Sequence, residues 1–179
     1  MFRATIHEAK KFSEDRVLKL RDSVSLFERA FNTQRFYQSI VNHTFREQQR
    51  FYYTQRSNKD IYALLVMGME LFQPQIRDFE SDLYLRMIRR RKPDGVAGHS
   101  PSDSKYIIIF EDWFDTHLTD EIAGLVAHEY SHKLGFHHPM ALNPDTPYSV
   151  PYAVGRTVTS LATLMRQGAN FQNVKLPGG

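Results

Sequence analysis

The sequence predicts an α+β fold, organised as one domain over residues 1–179. Three observations predict it: a helical pattern through most of residues 1–80, short β-branched runs after residue 81, and a long helical pattern around residue 125. A length of 179 residues and a hydrophobic content of 41% are enough to form a core of ordinary size. We therefore expect residues 1–80 to be mainly helical, and residues 81–179 to hold strands and two further helices.

Two helical patterns lie in the first part of the chain. Within residues 23–43, apolar side chains recur at spacings near three and four, which predicts an amphipathic helix. These side chains are Leu26, Phe27, Ala30, Phe31, Ile40 and Val41. A second helix is predicted from Asn58 to a point before Pro74, because proline cannot continue a helix.

The second part of the chain begins with strand patterns. Leu83, Leu85 and Met87 alternate with more polar residues, which predicts a strand with one apolar face. Residues 105–110 form a short run rich in isoleucine, which predicts a strand covered largely on both faces. Residues 92–104 between them are rich in glycine, proline and serine and predict turns.

Composition excludes several classes of protein. The chain has no cysteine, so it can form neither a disulfide framework nor a thiolate metal site. A net charge of +3 is too small to indicate nucleic-acid binding, and the basic run at residues 89–92 is interpreted as a solvated strand end. No apolar segment reaches the roughly 18 residues of a membrane span. Residues 1–16 lack an apolar signal-peptide core, as expected of a cytoplasmic chain or of a secreted one whose leader has been removed, so the compartment is left open. The oligomeric state is left open.

A helix is predicted over residues 116–135. Thr119 is a favourable N-cap, and Asp120 and Glu121 suit the positive end of the helix dipole. Gly135 can adopt the left-handed conformation that ends many helices. After it, residues from Pro139 onward are rich in proline and predict a loop, followed by a last helix over residues 155–169.

The predicted helix carries a pattern that indicates metal chemistry. His128 and His132 are four residues apart, so they lie about 40° apart around the axis and about 6 Å apart along it. Two imidazoles on one face can share a Zn²⁺ ion. Glu129 directly follows the first histidine and can serve as the general base towards a zinc-activated water. The preceding residues are apolar, which indicates that the helix is buried.

Two histidines need a third ligand. On a straight helix His138 would lie about 9 Å beyond His132 and about 120° off its face, so it could not bind the same ion. A chain reversal at Gly135 would bring it back. His138 is the predicted ligand. His137 is the nearest alternative and Asp145 the next.

The string HEYSHKLGFHH, residues 128–138, resembles the long zinc-binding consensus of the metzincin metallopeptidases at all five defining positions. The resemblance covers about residues 105–155. It implies a zincin-like fold with a small mixed sheet, His128, His132 and His138 as Zn²⁺ ligands, and Glu129 as general base. It also implies a zinc metallopeptidase, most simply an endopeptidase, that acts on a protein or peptide substrate; no nucleic-acid partner is expected.

The chain departs from the metzincin pattern after the third histidine. Metzincins have a methionine-containing turn there, and Met140 comes too soon to serve as that methionine. Residues 149–155 resemble the turn segment of the astacin-like branch, but Pro151 stands where methionine is expected. By the same resemblance Tyr152, or else Tyr148, could bind the oxyanion or the metal. The alternative is that both tyrosines only pack in the loop.

Two other functions fit parts of the pattern. A zinc-dependent endoribonuclease of the ribosomal-RNA maturation type spaces three histidines in the same way, but it lacks glutamate after the first one. A degenerate zincin that only binds a partner is also possible, and the presence of Glu129 argues against it. The remaining histidines, at positions 7, 43, 99 and 117, are expected to be ordinary surface or core residues.

Overall fold

The computed structural model describes residues 1–46, 56–72, 78–90, 96–138 and 143–172. Its elements confirm the α+β prediction. In chain order they are β1 (Arg3–Lys10), α1 (Glu14–Phe31), α2 (Gln34–Val41), α3 (Asn58–Met67), β2 (Glu80–Ile88), β3 (Gly98–His99), β4 (Tyr106–Phe110), α4 (Glu111–Thr116), α5 (Thr119–Lys133) and α6 (Val150–Arg166). A short 3-10 turn, Thr146–Tyr148, precedes α6.

The four strands form one small mixed sheet in the order β1-β2-β4-β3. The pairs β1–β2 and β2–β4 are parallel, whereas the two-residue β3 runs antiparallel to β4 at one edge. Strand β1 was not predicted, since residues 1–80 were expected to be mainly helical. Its apolar side chains are small or few, and its partner β2 lies far along the chain, so no local pattern indicates it.

The predicted alternation in β2 is confirmed, because Leu83, Leu85 and Met87 are all buried. Strand β4 differs from the prediction. Ile107 and Ile109 are buried but Ile108 is only partly buried, so this strand has one core face rather than two covered faces. The residues on its other face, Tyr106, Ile108 and Phe110, are all only partly buried.

The predicted helix over residues 23–43 is interrupted. Helix α1 ends at Phe31, and α2 starts after Thr33, whose hydroxyl accepts the Phe36 N–H at 3.0 Å as an N-cap. At the break, the Asn32 side chain accepts the Phe2 N–H at 2.9 Å and donates to the Phe2 carbonyl at 2.8 Å. The break therefore ties the start of β1 to the end of α1.

An aromatic cluster fixes the rotation of α5 about its axis. Tyr130 is fully buried, and its ring centroid lies 5.7 Å from that of Phe27 and 6.1 Å from that of Phe2. Phe31 belongs to the same cluster, and its ring centroid lies 4.8 Å from that of Phe2. With Tyr130 held in the core, the residues on either side of it take fixed directions from the helix.

The starts of helices α5 and α6 both differ in detail from the prediction. Helix α5 is capped at Leu118 and not at Thr119, which is its first helical residue; the Leu118 N–H instead donates to the Glu121 carboxylate at 2.8 Å. Helix α6 begins at Val150, and Pro151 lies in its first turn, where a missing N–H costs nothing. Residues 149–154, predicted as part of a loop, are thus the cap and start of a helix. Among the described residues, no helix is long and apolar enough to cross a membrane.

Candidate metal centre

The end of α5 reverses the chain with a Schellman motif. Gly135 has φ +91°, which confirms the predicted left-handed conformation. Its N–H donates to the His132 carbonyl at 3.0 Å, and the Phe136 N–H donates to the Ser131 carbonyl at 3.1 Å. Phe136 is fully buried, so it anchors the chain after the reversal. The chain is thereby directed back towards the helix that it has just left.

This reversal brings three imidazoles together. One ring nitrogen from each of His128, His132 and His138 lies within 4.8 Å of the other two, a group that could hold a metal ion. The Nε2 atoms of His128 and His138 are 3.3 Å apart. The ring centroid of His132 lies 5.0 Å from that of His128 and 4.9 Å from that of His138.

Backbone carbonyls orient two of the rings. Nδ1 of His132 lies 2.8 Å from the Phe136 carbonyl oxygen. A carbonyl only accepts, so Nδ1 carries the proton and Nε2 keeps its lone pair for a metal. The ring of His128 is hydrogen-bonded to the backbone of Pro151, which has a carbonyl but no N–H to offer. Each of these two histidines therefore has the outer hydrogen bond that metal-bound histidines commonly have.

The surroundings favour the neutral form of the His128 and His132 imidazoles. Burial lowers the pKa of His128 well below its ordinary value, and the nearby His132 and His138 lower it further. Burial also lowers the pKa of His132 to about 4, although its bond to Phe136 acts in the opposite direction. Neutral imidazole is the form that binds metals.

The donor set and its spacing fit Zn²⁺. Two nitrogen ligands at roughly 2.0–2.1 Å from a tetrahedral zinc lie about 3.3–3.4 Å apart. The observed separation of 3.3 Å between Nε2 of His128 and Nε2 of His138 matches that value. Three nitrogen ligands and one open position are also the arrangement of catalytic zinc sites.

Glu129 directly follows His128 on α5 and is only 4% exposed. Its Oε2 is buried and has no hydrogen-bond partner among the described residues. Burial raises the pKa of the carboxyl to about 8, while Ser100 and Lys133 lower it. An unpartnered buried carboxyl oxygen is costly, and it indicates a group that is completed by a ligand or by water.

Two residues that the sequence did not predict support α5 from the side of the sheet edge. The Ser100 hydroxyl donates to the Glu129 carbonyl at 3.0 Å. The Lys133 ammonium is 6% exposed and donates to the Pro101 carbonyl at 2.9 Å and also to the Ser104 carbonyl. These bonds connect residues about 30 positions apart, so no local sequence signal could have indicated them.

Tyr152 reaches the same group from α6. Its ring centroid lies 4.8 Å from that of His128 and 4.9 Å from that of His138. Burial raises the pKa of the Tyr152 phenol, and the negative charge of Glu129 raises it further. The predicted tyrosine therefore lies beside the histidines, but on a helix and not in a loop.

Close contact between α5 and α6 makes this placement possible. A Cβ atom added to Gly124 would lie 1.8 Å from Oγ1 of Thr159 and 2.8 Å from the Gly155 carbonyl oxygen. One added to Gly155 would lie 3.1 Å from Cβ of His128. Glycine at both positions lets the helix backbones approach closely enough to set α6 against the His128 ring.

The alternative ligands lie elsewhere. The ring centroid of His137 is 6.2 Å from that of His132, and His137 is not part of the three-histidine group. Tyr148 packs under the guanidinium of Arg46 at 4.6 Å, and Asp145 pairs with the same arginine at 3.5 Å. Met140 and Pro139 lie outside the described residues.

No protein-family model matches the chain, and no curated protein matches it significantly.

Proposed function

We propose that this protein is a zinc-dependent metallopeptidase with a zincin-like fold, related to the metzincins. The observation that carries the proposal is the convergence of ligand nitrogens from His128, His132 and His138 to within 4.8 Å, together with the unpartnered buried carboxyl oxygen of Glu129, the residue that follows His128 on α5. The small mixed sheet and the helix that bears two of the histidines are compatible with this class. When bound, Zn²⁺ lowers the pKa of a water molecule and polarises a substrate carbonyl.

The other catalytic roles are proposed for Glu129 and Tyr152. Glu129 takes a proton from the attacking water while the water oxygen bonds to the carbonyl carbon, and it passes a proton to the leaving amine nitrogen as the C–N bond breaks. Its burial suits this role, because it holds the carboxyl away from bulk water and raises its pKa to about 8. A raised pKa makes the ionised carboxylate a stronger base, so it takes a proton from the attacking water more readily.

Tyr152 is proposed to stabilise the oxygen that gains negative charge during attack. Its ring packs against both His128 and His138, which places the side chain next to the residues that would hold the metal. A phenol with a raised pKa remains protonated at neutral pH and can donate a hydrogen bond. It lies on α6, which is rigidly packed against α5 through the two glycines.

A peptide-hydrolysis assay tests the function. Purified, zinc-loaded protein is incubated with a quenched-fluorescent peptide library and with casein, and in parallel with structured RNA. We expect cleavage of peptide bonds that stops on chelation and returns on addition of zinc. Cleavage of RNA alone would support the endoribonuclease alternative, and zinc binding without turnover of any substrate would support a degenerate zincin.

A further inference from the structure

A second group of metal-ligating side chains lies on the sheet, away from α5. It consists of His7 on β1 and of Glu80 and Asp82 on β2, and one ligand atom from each lies within 4.8 Å of the other two. Glu80 and Asp82 are two residues apart on a strand, so their side chains project from the same face. Leu83, which follows them, points into the core from the opposite face.

A β-bulge adds His7 to this face. The parallel register pairs Ile6 with Leu83 and Glu8 with Tyr84, so His7 is an extra residue without a partner in β2. Bulges are rare in parallel pairs, and they commonly redirect a side chain. Here His7 lies with Nε2 2.7 Å from Oδ1 of Asp82, and its ring stacks on Tyr84 at 5.3 Å.

Further bonds hold the two carboxylate residues in place. The buried Glu70 accepts the Asp82 N–H at 3.0 Å, and Asp78 accepts the Glu80 N–H at 3.0 Å. Four acidic side chains thus meet at the start of β2. Within the part of the chain that the structure describes, none of the four forms an ion pair with lysine or arginine, and His7 is the only ion-pair partner seen.

From this arrangement we infer that His7, Glu80 and Asp82 form a second divalent-cation site, which links β1 to β2. One imidazole nitrogen and two carboxylates favour a first-row transition ion such as Mn²⁺ or Co²⁺ over Mg²⁺ or Ca²⁺, which prefer oxygen ligands only. The site is open to solvent, since the side chains of His7 and Asp82 are 41% and 16% exposed. It shares no residue with the three-histidine group, so it is independent of the proposed peptidase activity.

Titration with Mn²⁺ of protein that carries one equivalent of zinc per chain tests this site, with the free ion followed by its electron paramagnetic resonance signal. We expect one Mn²⁺ per chain, not displaced by an equal concentration of Mg²⁺. His7→Ala and Asp82→Asn should each raise its dissociation constant about tenfold or more. The matched controls His117→Ala and Asp22→Asn remove the same groups from a partly buried and an exposed position outside the cluster, and they should leave the dissociation constant unchanged.

Asp82→Asn keeps the size of the side chain, so it tests the site even if His7→Ala disturbs β1. The circular dichroism spectrum and melting temperature of each variant without Mn²⁺ report whether it folds. Absence of Mn²⁺ binding at millimolar concentration would overturn the inference. Binding that survives in a folded Asp82→Asn variant would overturn it too.

Discussion

Nε2 of His138 lies 3.3 Å from Nε2 of His128, although the two residues are ten positions apart and only His128 lies on α5. That contact depends on the reversal at Gly135, and it selects His138 over its neighbour His137. We predict that His138→Ala loses tight zinc binding, while His137→Ala keeps it. Metal analysis of the two purified variants after dialysis decides the point. Zinc lost from His137→Ala and kept by His138→Ala would place the ligand one residue earlier.

The positive φ of Gly135 leads to a second prediction. A β-branched residue disfavours φ +91°, so Gly135→Val should distort the turn that delivers His138. Gly168 is a matched control, because it has φ +94° at the end of α6 and no atom within 4 Å of its added Cβ. Both variants should lose on the order of 1 kcal/mol of stability. Only Gly135→Val should weaken zinc binding, as measured by competition with a chelating dye; an equal zinc affinity in both would mean that the turn does not position the ligand.

Helix packing at Gly124 is expected to be sensitive to a single methyl group. Gly124→Ala would place Cβ 1.8 Å from Oγ1 of Thr159 and 2.8 Å from the Gly155 carbonyl, so α6 must move away from α5. We expect a loss of about 1–3 kcal/mol in the free energy of unfolding, measured in urea. Thr159→Ala in the same chain removes the nearer contact and should recover part of that loss. Full stability of Gly124→Ala would show that the helices are not in close contact there.

The surroundings of Asp120 predict how the free energy of unfolding depends on pH. It is 3% exposed and accepts hydrogen bonds from Thr163 at 2.6 Å and from Arg166 at 3.2 Å. Burial alone would raise the pKa of this carboxyl, but these bonds outweigh it, and the pKa lies below its ordinary value of 3.8. A lowered pKa means that the stabilisation is present above about pH 4 and is lost as the pH falls through the folded-state pKa.

Asp120→Asn should therefore destabilise the protein by on the order of 1–3 kcal/mol at pH 7, and the deficit should shrink below about pH 4. Thermal unfolding from pH 3 to pH 7 measures it, with the exposed Asp22→Asn as control. A deficit that stays constant across this range would show that the charge of Asp120 is not responsible.

The parts of the site that the sequence could predict are those that depend on neighbours along the chain. His128, Glu129 and His132 are related by helical spacing. Gly135 indicates the end of that helix, because glycine readily adopts the left-handed conformation found there. The approach of His138 follows from these two facts. The bond from Ser100 to the helix backbone does not, because it joins distant segments.

The same reason explains what was missed in the fold. Strand β1 is defined by its pairing with β2, more than 70 residues later, and not by its own apolar pattern. The break between α1 and α2 is set by the bonds of Asn32 to Phe2, which continuous apolar spacing does not reveal. Helix α6 starts early because Pro151 fits the first turn of a helix as well as it fits a loop.

The most direct test of the central proposal is the hydrolysis of a quenched-fluorescent peptide by wild-type protein and by Glu129→Gln at equal zinc content. Glutamine keeps the shape of the side chain but cannot accept the proton, so we expect zinc to stay bound near one ion per chain while turnover falls by ~10² or more. The His137→Ala variant, which changes a neighbouring histidine outside the group, should retain most of its activity. Activity of Glu129→Gln within a few-fold of wild type would contradict the proposed mechanism.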